Sequence, residues 1–217
     1  SVGKTILTAY ENFVSVSLPE AQDTPTVLTQ LQTNANEQYL LTRTDSITGS
    51  SFSVMMEAEE GGMSSSPASE VVGWLAIESG SSSLGGSNNL EANISSTNVS
   101  SAQTDVAYAS SFSTPNALFA KIATHNDPDS GSARVVSQSD TKFIVFVEED
   151  QAADSETSHA NEQIAYIVID ESNGDISVSD DNSVLTIATA NEKGFNDDGS
   201  EQAGVNASGS NATLLVN

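Results

Sequence analysis

Two arginines hold one place in a repeated pattern. Arg43 and Arg134 are the only arginines in the chain, and each lies nine residues before a phenylalanine, Phe52 or Phe143. A guanidinium fork has two uses at such a position. It pairs across strands with a carboxylate such as Glu57 or Glu148 and fixes a sheet, or it clamps a sugar hydroxyl or a ligand carboxylate. The runs opened by these phenylalanines end in acids: Glu59 and Glu60 in the first, Glu148, Glu149 and Asp150 in the second. Acidic strand ends are either solvated or, with oxygens from nearby loops, hard ligands for calcium. Asp127 and Asp129 have a chelating spacing, and Asp150 stands as a third candidate metal ligand. No segment completes a twelve-residue EF-hand loop.

Other chemistries are poorly supplied. The chain has no cysteine, which removes disulfides, thiolate zinc sites and a cysteine nucleophile. His125 and His159 are the only histidines. His159 precedes Glu162 by three residues and reads as a surface histidine, or as a ligand contact peculiar to the second half. Residues 3–5, Gly-Lys-Thr, lack the earlier glycine of a phosphate-binding loop. No G-x-S-x-G elbow exists. A glycosidase pair of carboxylates is disfavoured because acids are placed differently in the two halves. The expectation is that this is not an enzyme. Sequons at Asn93, Asn98, Asn206 and Asn211 are competent glycan acceptors where the source glycosylates proteins.

The 217 residues include 30 acidic and 6 basic ones, a net charge of −24. That balance argues against binding nucleic acid or an anionic membrane, which need clustered Lys and Arg. It suits high salt or calcium, hence an extracellular or cell-surface setting. No apolar run approaches the roughly 20 residues that span a bilayer. Because Ser1 is not an initiator methionine, the chain reads as a mature product or an excised piece.

Stepping from these residues to the elements that hold them, three blocks recur in order. Residues 24–34 return at 114–125, residues 52–60 at 143–150, and residues 70–80 at 162–174. A period near 90 suits a tandem of small units. The expected division is 1–80 for the first unit, a Ser/Gly-rich linker over 81–92, a second unit over 93–178 and a C-terminal extension over 179–217. Phe52, Val54 and Met56 alternate with other residues, as do Phe143, Val145 and Val147. Residues 71–77 and 164–169 are nearly continuous apolar runs, read as central strands. Gly, Ser, Asn, Asp and Pro clusters separate the runs. The predicted fold is all-β, two tandem antiparallel β-sandwiches of about six strands each with a C-terminal β extension. The tail reads as added strands, as the start of a third unit, or as an apolar end strand that adds to a neighbour's sheet.

The cadence of the blocks resembles the H-type lectin module, discoidin- and snail-agglutinin-like, and its relatives in large secreted proteins of marine bacteria. The residues that carry the likeness include Pro25, Thr33, Arg43, Phe52, Glu57, Glu70, Trp74 and Glu78, and then Pro115, Thr124, Arg134, Phe143, Glu148, Glu162, Tyr166 and Asp170. The resemblance implies six-stranded sandwiches that often trimerise and bind sugars at subunit edges. Two copies in one chain depart from the single-module lectins. On this reading the chain is an extracellular adhesion protein that binds glycans or copies of itself. Its ligand residues would be Arg43, Glu59, Glu60, Arg134, Glu148, Glu149 and His159, with calcium on Asp127, Asp129 and Asp150. The alternative is a structural subunit of a filament, sheath or surface layer, joined by strand addition or calcium bridges.

Overall fold

A computed structural model describes residues 1–37, 39–59, 67–83, 89–112, 115–152, 155–170, 176–180 and 183–187, with the backbone alone for 115–116 and the last two segments. The described residues are all-β and hold no helix. Glu60 and the terminal residues 188–217 lie outside them, and so does the proposed end strand.

The first unit contains β1 (Val2–Leu7), β2 (Val14–Ser17), β3 (Pro25–Leu31), β4 (Leu40–Asp45), β5 (Ser51–Ala58) and β6 (Glu70–Glu78). They form two antiparallel three-stranded sheets, ordered β1-β6-β3 and β2-β5-β4. Alternation decides which side chains turn inward. Phe52, Val54 and Met56 of β5 meet Val72, Trp74 and Ala76 of β6 in one buried cluster. Gly3 passes against the Trp74 ring so closely that a Cβ would come within 2.3 Å of a ring carbon, which leaves room only for glycine.

The next strands are β7 (Gly80–Ser83), β8 (Asn89–Ile94), β9 (Thr104–Ala107), β10 (Pro115–Ile122), β11 (Gly131–Gln138), β12 (Lys142–Glu149) and β13 (Ile164–Asp170). Their sheets run β10-β13-β8-β7 and β11-β12-β9. Apart from β7, this is the first unit's topology again, strand for strand. Phe143, Val145 and Val147 of β12 meet Ile164, Tyr166 and Val168 of β13 in the second core.

Two expectations are corrected. The segment 81–92 is not a linker: β7 and β8 pair with each other, and β8 pairs with β13. Ser/Gly composition signals flexibility only where nothing apolar is buried, and Leu90 and Ala92 are buried. The run buried on both faces is β13. Its Ile167 and Ile169 join Leu90 and Ala92 in a third cluster against Leu28, Leu75 and Ile77 of the first unit. The two units therefore share an apolar contact. The second face of β12 is less enclosed: Ile144 and Phe146, apolar residues between Phe143, Val145 and Val147 that allow burial of both faces, are half-buried.

The chain continues in β14 (Ile176–Asp180) and β15 (Ser183–Ile187), an antiparallel pair. The expected C-terminal extension therefore begins with two strands. Their hairpin stands after β13 as the β7–β8 pair stands after β6.

Candidate functional site

The repeated Thr and Glu residues build the same latch twice. Glu70, at the start of β6, is buried and accepts from Thr33 Oγ1, from Ala35 N at 2.8 Å and from Asn36 N at 3.0 Å. Thr33 Oγ1 in turn accepts from Val71 N at 2.8 Å. Glu162, just before β13, accepts from Thr124 Oγ1, from Asn126 N at 2.9 Å and from Asp127 N at 3.3 Å, while Thr124 Oγ1 accepts from Gln163 N at 2.9 Å. A buried carboxylate is tolerated here because backbone and hydroxyl donors satisfy it. Burial alone would raise both acids, yet the His159 contact first and then these hydrogen bonds at Glu162, and the hydrogen bonds alone at Glu70, hold them below the usual carboxylate value. The latch ties the loop after β3 or β10 to the opposite strand.

The two arginines are also equivalent, and each pairs with the expected carboxylate of the adjacent strand. Arg43 Nη2 lies 2.7 Å from Glu57 Oε2, with the two side chains 1% and 2% exposed. Arg134 Nε lies 3.2 Å from Glu148 Oε2, with exposures of 60% and 47%. The difference comes from what lies on top. The second unit covers the first pair: Arg43 Nη2 donates to Gly131 O at 3.4 Å, and Thr44 Oγ1 donates to Ile122 O at 3.2 Å. Lys121 Nζ reaches across to Thr29 O at 2.9 Å and Thr42 Oγ1 at 2.6 Å. His125 packs edge-on against Phe13 of the first unit. A cleft of about 170 Å³ opens beside these groups, lined by Leu41, Arg43, Lys121, Gly131 and Ala133 among others.

Removal from water dominates the electrostatics of this junction. Burial, with the Glu11 charge adding to it, pushes the Glu57 carboxyl up to about 7 against the pull of Arg43. Burial and then the Arg43 charge push the Lys121 ammonium down to about 8, although the residue as a whole is half-buried.

His159 is buried, not a surface residue. Its Nδ1 lies 2.6 Å from Glu149 Oε2, and its Nε2 lies 3.4 Å from Glu162 Oε1. Burial works against the charged imidazole, but the contacts with Glu162 and Glu149 outweigh it and raise His159. Burial likewise raises Glu149 despite the His159 contact. The sign of the pH dependence follows from linkage. The stability from His159 is complete below its ordinary value of 6.5 and is lost as pH rises through its raised folded value. A raised Glu149 adds a loss in the same direction. The stability from Glu162 is complete above 4.5 and is lost as pH falls through its lowered value. Thermal melts should therefore show greatest stability on the mildly acidic side, with a decline through neutrality. His159→Gln should flatten that decline; an unchanged profile would disprove the assignment.

Part of the expected set gathers around His159: Asp127 Oδ2 stands 4.0 Å from its Nδ1, and Asp150 N donates to Ser130 O, next to Asp129, at 2.8 Å. Asp127 accepts from Ala160 N and, at 3.2 Å, from Asp129 N. Asp150 accepts from Ala152 N at 3.0 Å. The Asp150 carboxylate thus caps local backbone, while Asp127 also ties its loop to the distant segment at Ala160. Glu59 is half-buried at the end of β5. Among the described residues, the ligand atoms that converge are those of Glu11, Glu57 and His125, within 4.8 Å of one another. Sequence reasoning missed this set and Lys121. The unit-to-unit differences were the available signal: Lys121 and His125 replace Gln30 and Asn34 of the first copy. No protein-family model, curated protein or solved structure matches the chain.

Proposed function

We propose that the chain is a structural segment, two β-sandwich units fixed in series, of an extracellular filament, sheath or surface layer. The observation that carries this reading is the contrast between the two Arg–Glu pairs. The same pair is sealed by a neighbouring unit in one copy and open in the other. Four of the residues with ligand-like chemistry, Arg43, Glu57, Glu149 and His159, are spent on internal contacts. The apolar cluster between the units and the Lys121 bridge favour a stiff connection over a flexible tether. A further repeat is supported by the sequence: Thr5-Ile6-Leu7-Thr8-Ala9 recurs as Thr186-Ile187-Ala188-Thr189-Ala190, and the second stretch begins within β15.

The carbohydrate-binding reading has one observation behind it, the solvent-facing Arg134–Glu148 pair with exposed Val135 and Val136 beside it. Small-angle scattering together with a glycan array separates the two. Expected are a scattering curve that fits one rigid two-unit particle and a blank array. A broad distribution of inter-unit distances, or glycan retention abolished by Arg134→Ala, would overturn the structural reading.

A further inference from the structure

The junction between the units holds three potential metal ligands drawn from both sides of it. Glu11 precedes β2, Glu57 lies in β5, and His125 follows β10 in the second unit. His125 Nε2 stands 3.8 Å from Glu57 Oε1. Both atoms are buried and neither has a hydrogen-bond partner. Glu57 is fully enclosed, and only its other oxygen is used, by Arg43. A buried carboxylate oxygen without a donor is costly, and a nearby imidazole nitrogen in the same condition compounds the cost. One cation placed between them would satisfy both.

Glu11 completes the set from an unusual backbone position. Its φ is +50°, a left-handed conformation rare for glutamate. Glu11 N donates to Met56 O at 3.0 Å, and Glu11 Oε1 accepts from Ala58 N at 3.3 Å. These bonds hold the exposed Glu11 beside Glu57. The surrounding charge also favours a cation. The carboxylates of Glu11, Glu57, Asp127, Glu149 and Glu162 outnumber the cationic groups Arg43, Lys121 and His159.

We infer that Glu11, Glu57 and His125 form a site for one divalent transition ion of the zinc class, which clasps the first unit to the second. The donor set decides the class. One imidazole nitrogen and two carboxylates suit zinc and its neighbours, whereas calcium prefers six or more oxygens. Tetrahedral ligands at about 2.0–2.2 Å from zinc stand roughly 3.3–3.6 Å apart, so the three atoms, within 4.8 Å of one another, draw together by up to about an ångström on binding. Three protein ligands leave a fourth position, which would take water. This site is separate from Asp127, Asp129 and Asp150, and it stands whether or not the chain belongs to a filament.

Isothermal titration of the full chain with zinc chloride tests it, with calcium chloride as the comparison and thermal melts run in parallel. One zinc per chain is expected, with a rise in melting midpoint of roughly 5–10 °C at about a hundred times the Kd. His125→Ala and Glu11→Gln should each abolish the zinc-dependent rise. Glu11 is exposed, so its variant keeps the fold and keeps the test decisive if His125→Ala proves unstable. Cobalt(II) in place of zinc should give visible absorption that the Glu11→Gln variant lacks. Absence of zinc binding, zinc binding unaffected by Glu11→Gln, or an equal response to calcium would each overturn the inference.

Discussion

Arg43→Ala should destabilise the protein by about 3–5 kcal/mol, while Arg134→Ala should cost no more than about 1 kcal/mol. The two residues sit at the same place in the same fold and pair with equivalent glutamates, so the contrast isolates burial. Removing Arg43 leaves the Glu57 carboxylate enclosed and uncompensated, and it also takes a donor from Gly131 O across the junction. Removing Arg134 leaves Glu148 half in water, where solvent replaces the guanidinium. Urea unfolding reports this directly. Trp74 is the only tryptophan and packs against Phe52 at 5.6 Å in the first core, so its fluorescence follows the unit that carries Arg43. A double replacement of Arg43 and Glu57 by methionine should recover much of the loss, because two apolar side chains do not strand a charge. Equal costs for Arg43→Ala and Arg134→Ala would show that the covering unit contributes nothing.

The second large effect is expected at Glu162. Glu162→Ala removes the acceptor used by Thr124 Oγ1, Asn126 N and Asp127 N, and it removes one of the three carboxylates, with Glu149 and Asp127, at His159. Each stranded buried donor costs about 1–3 kcal/mol, so the total should exceed about 3 kcal/mol. Glu70→Ala strips the corresponding latch of the first unit but touches no histidine. Both losses should shrink as pH falls below 4.5, where the wild-type carboxylates protonate and their own contribution disappears. Only Glu162→Ala should alter the decline through neutrality, since only Glu162 neighbours His159. Trp74 emission in urea, followed beside the whole-chain circular dichroism, assigns each loss to its unit. If Glu162→Ala left the pH profile intact, the histidine contact would have no energetic weight.

The duplication and its chemistry were largely legible before any coordinates. Thr33 and Thr124, Glu70 and Glu162, and the two arginines stood out by recurrence, and each pair holds equivalent contacts. Alternation along β5 and β12 located both cores. The rest was hidden for physical reasons. His159 carries no local mark of burial, because what buries it is a loop folding back onto β12. β7 was masked by its own serines and glycine, and β8 by the Ser/Gly-rich sequence before it, since strands need ladder partners more than apolar composition. The junction could not be read from one unit's pattern. Its polar contacts include Lys121, a single charge in a strand whose first-unit counterpart is Gln30.

That last asymmetry gives the molecule a direction. The first unit offers Thr29 O and Thr42 Oγ1 as acceptors, and the second supplies the lysine, so the contact joins unlike surfaces and is not a twofold handshake. Contacts of this kind do not close on themselves at two members; they define a heterologous interface with a free surface left at either side. Beside the arginine, β11 carries Ala133 and Val135 where β4 has Thr42 and Thr44, and Ala133 packs against the second core. The second unit therefore lacks the hydroxyl that Lys121 uses on the first, and a series built from such units would be polar, with interfaces that differ along it.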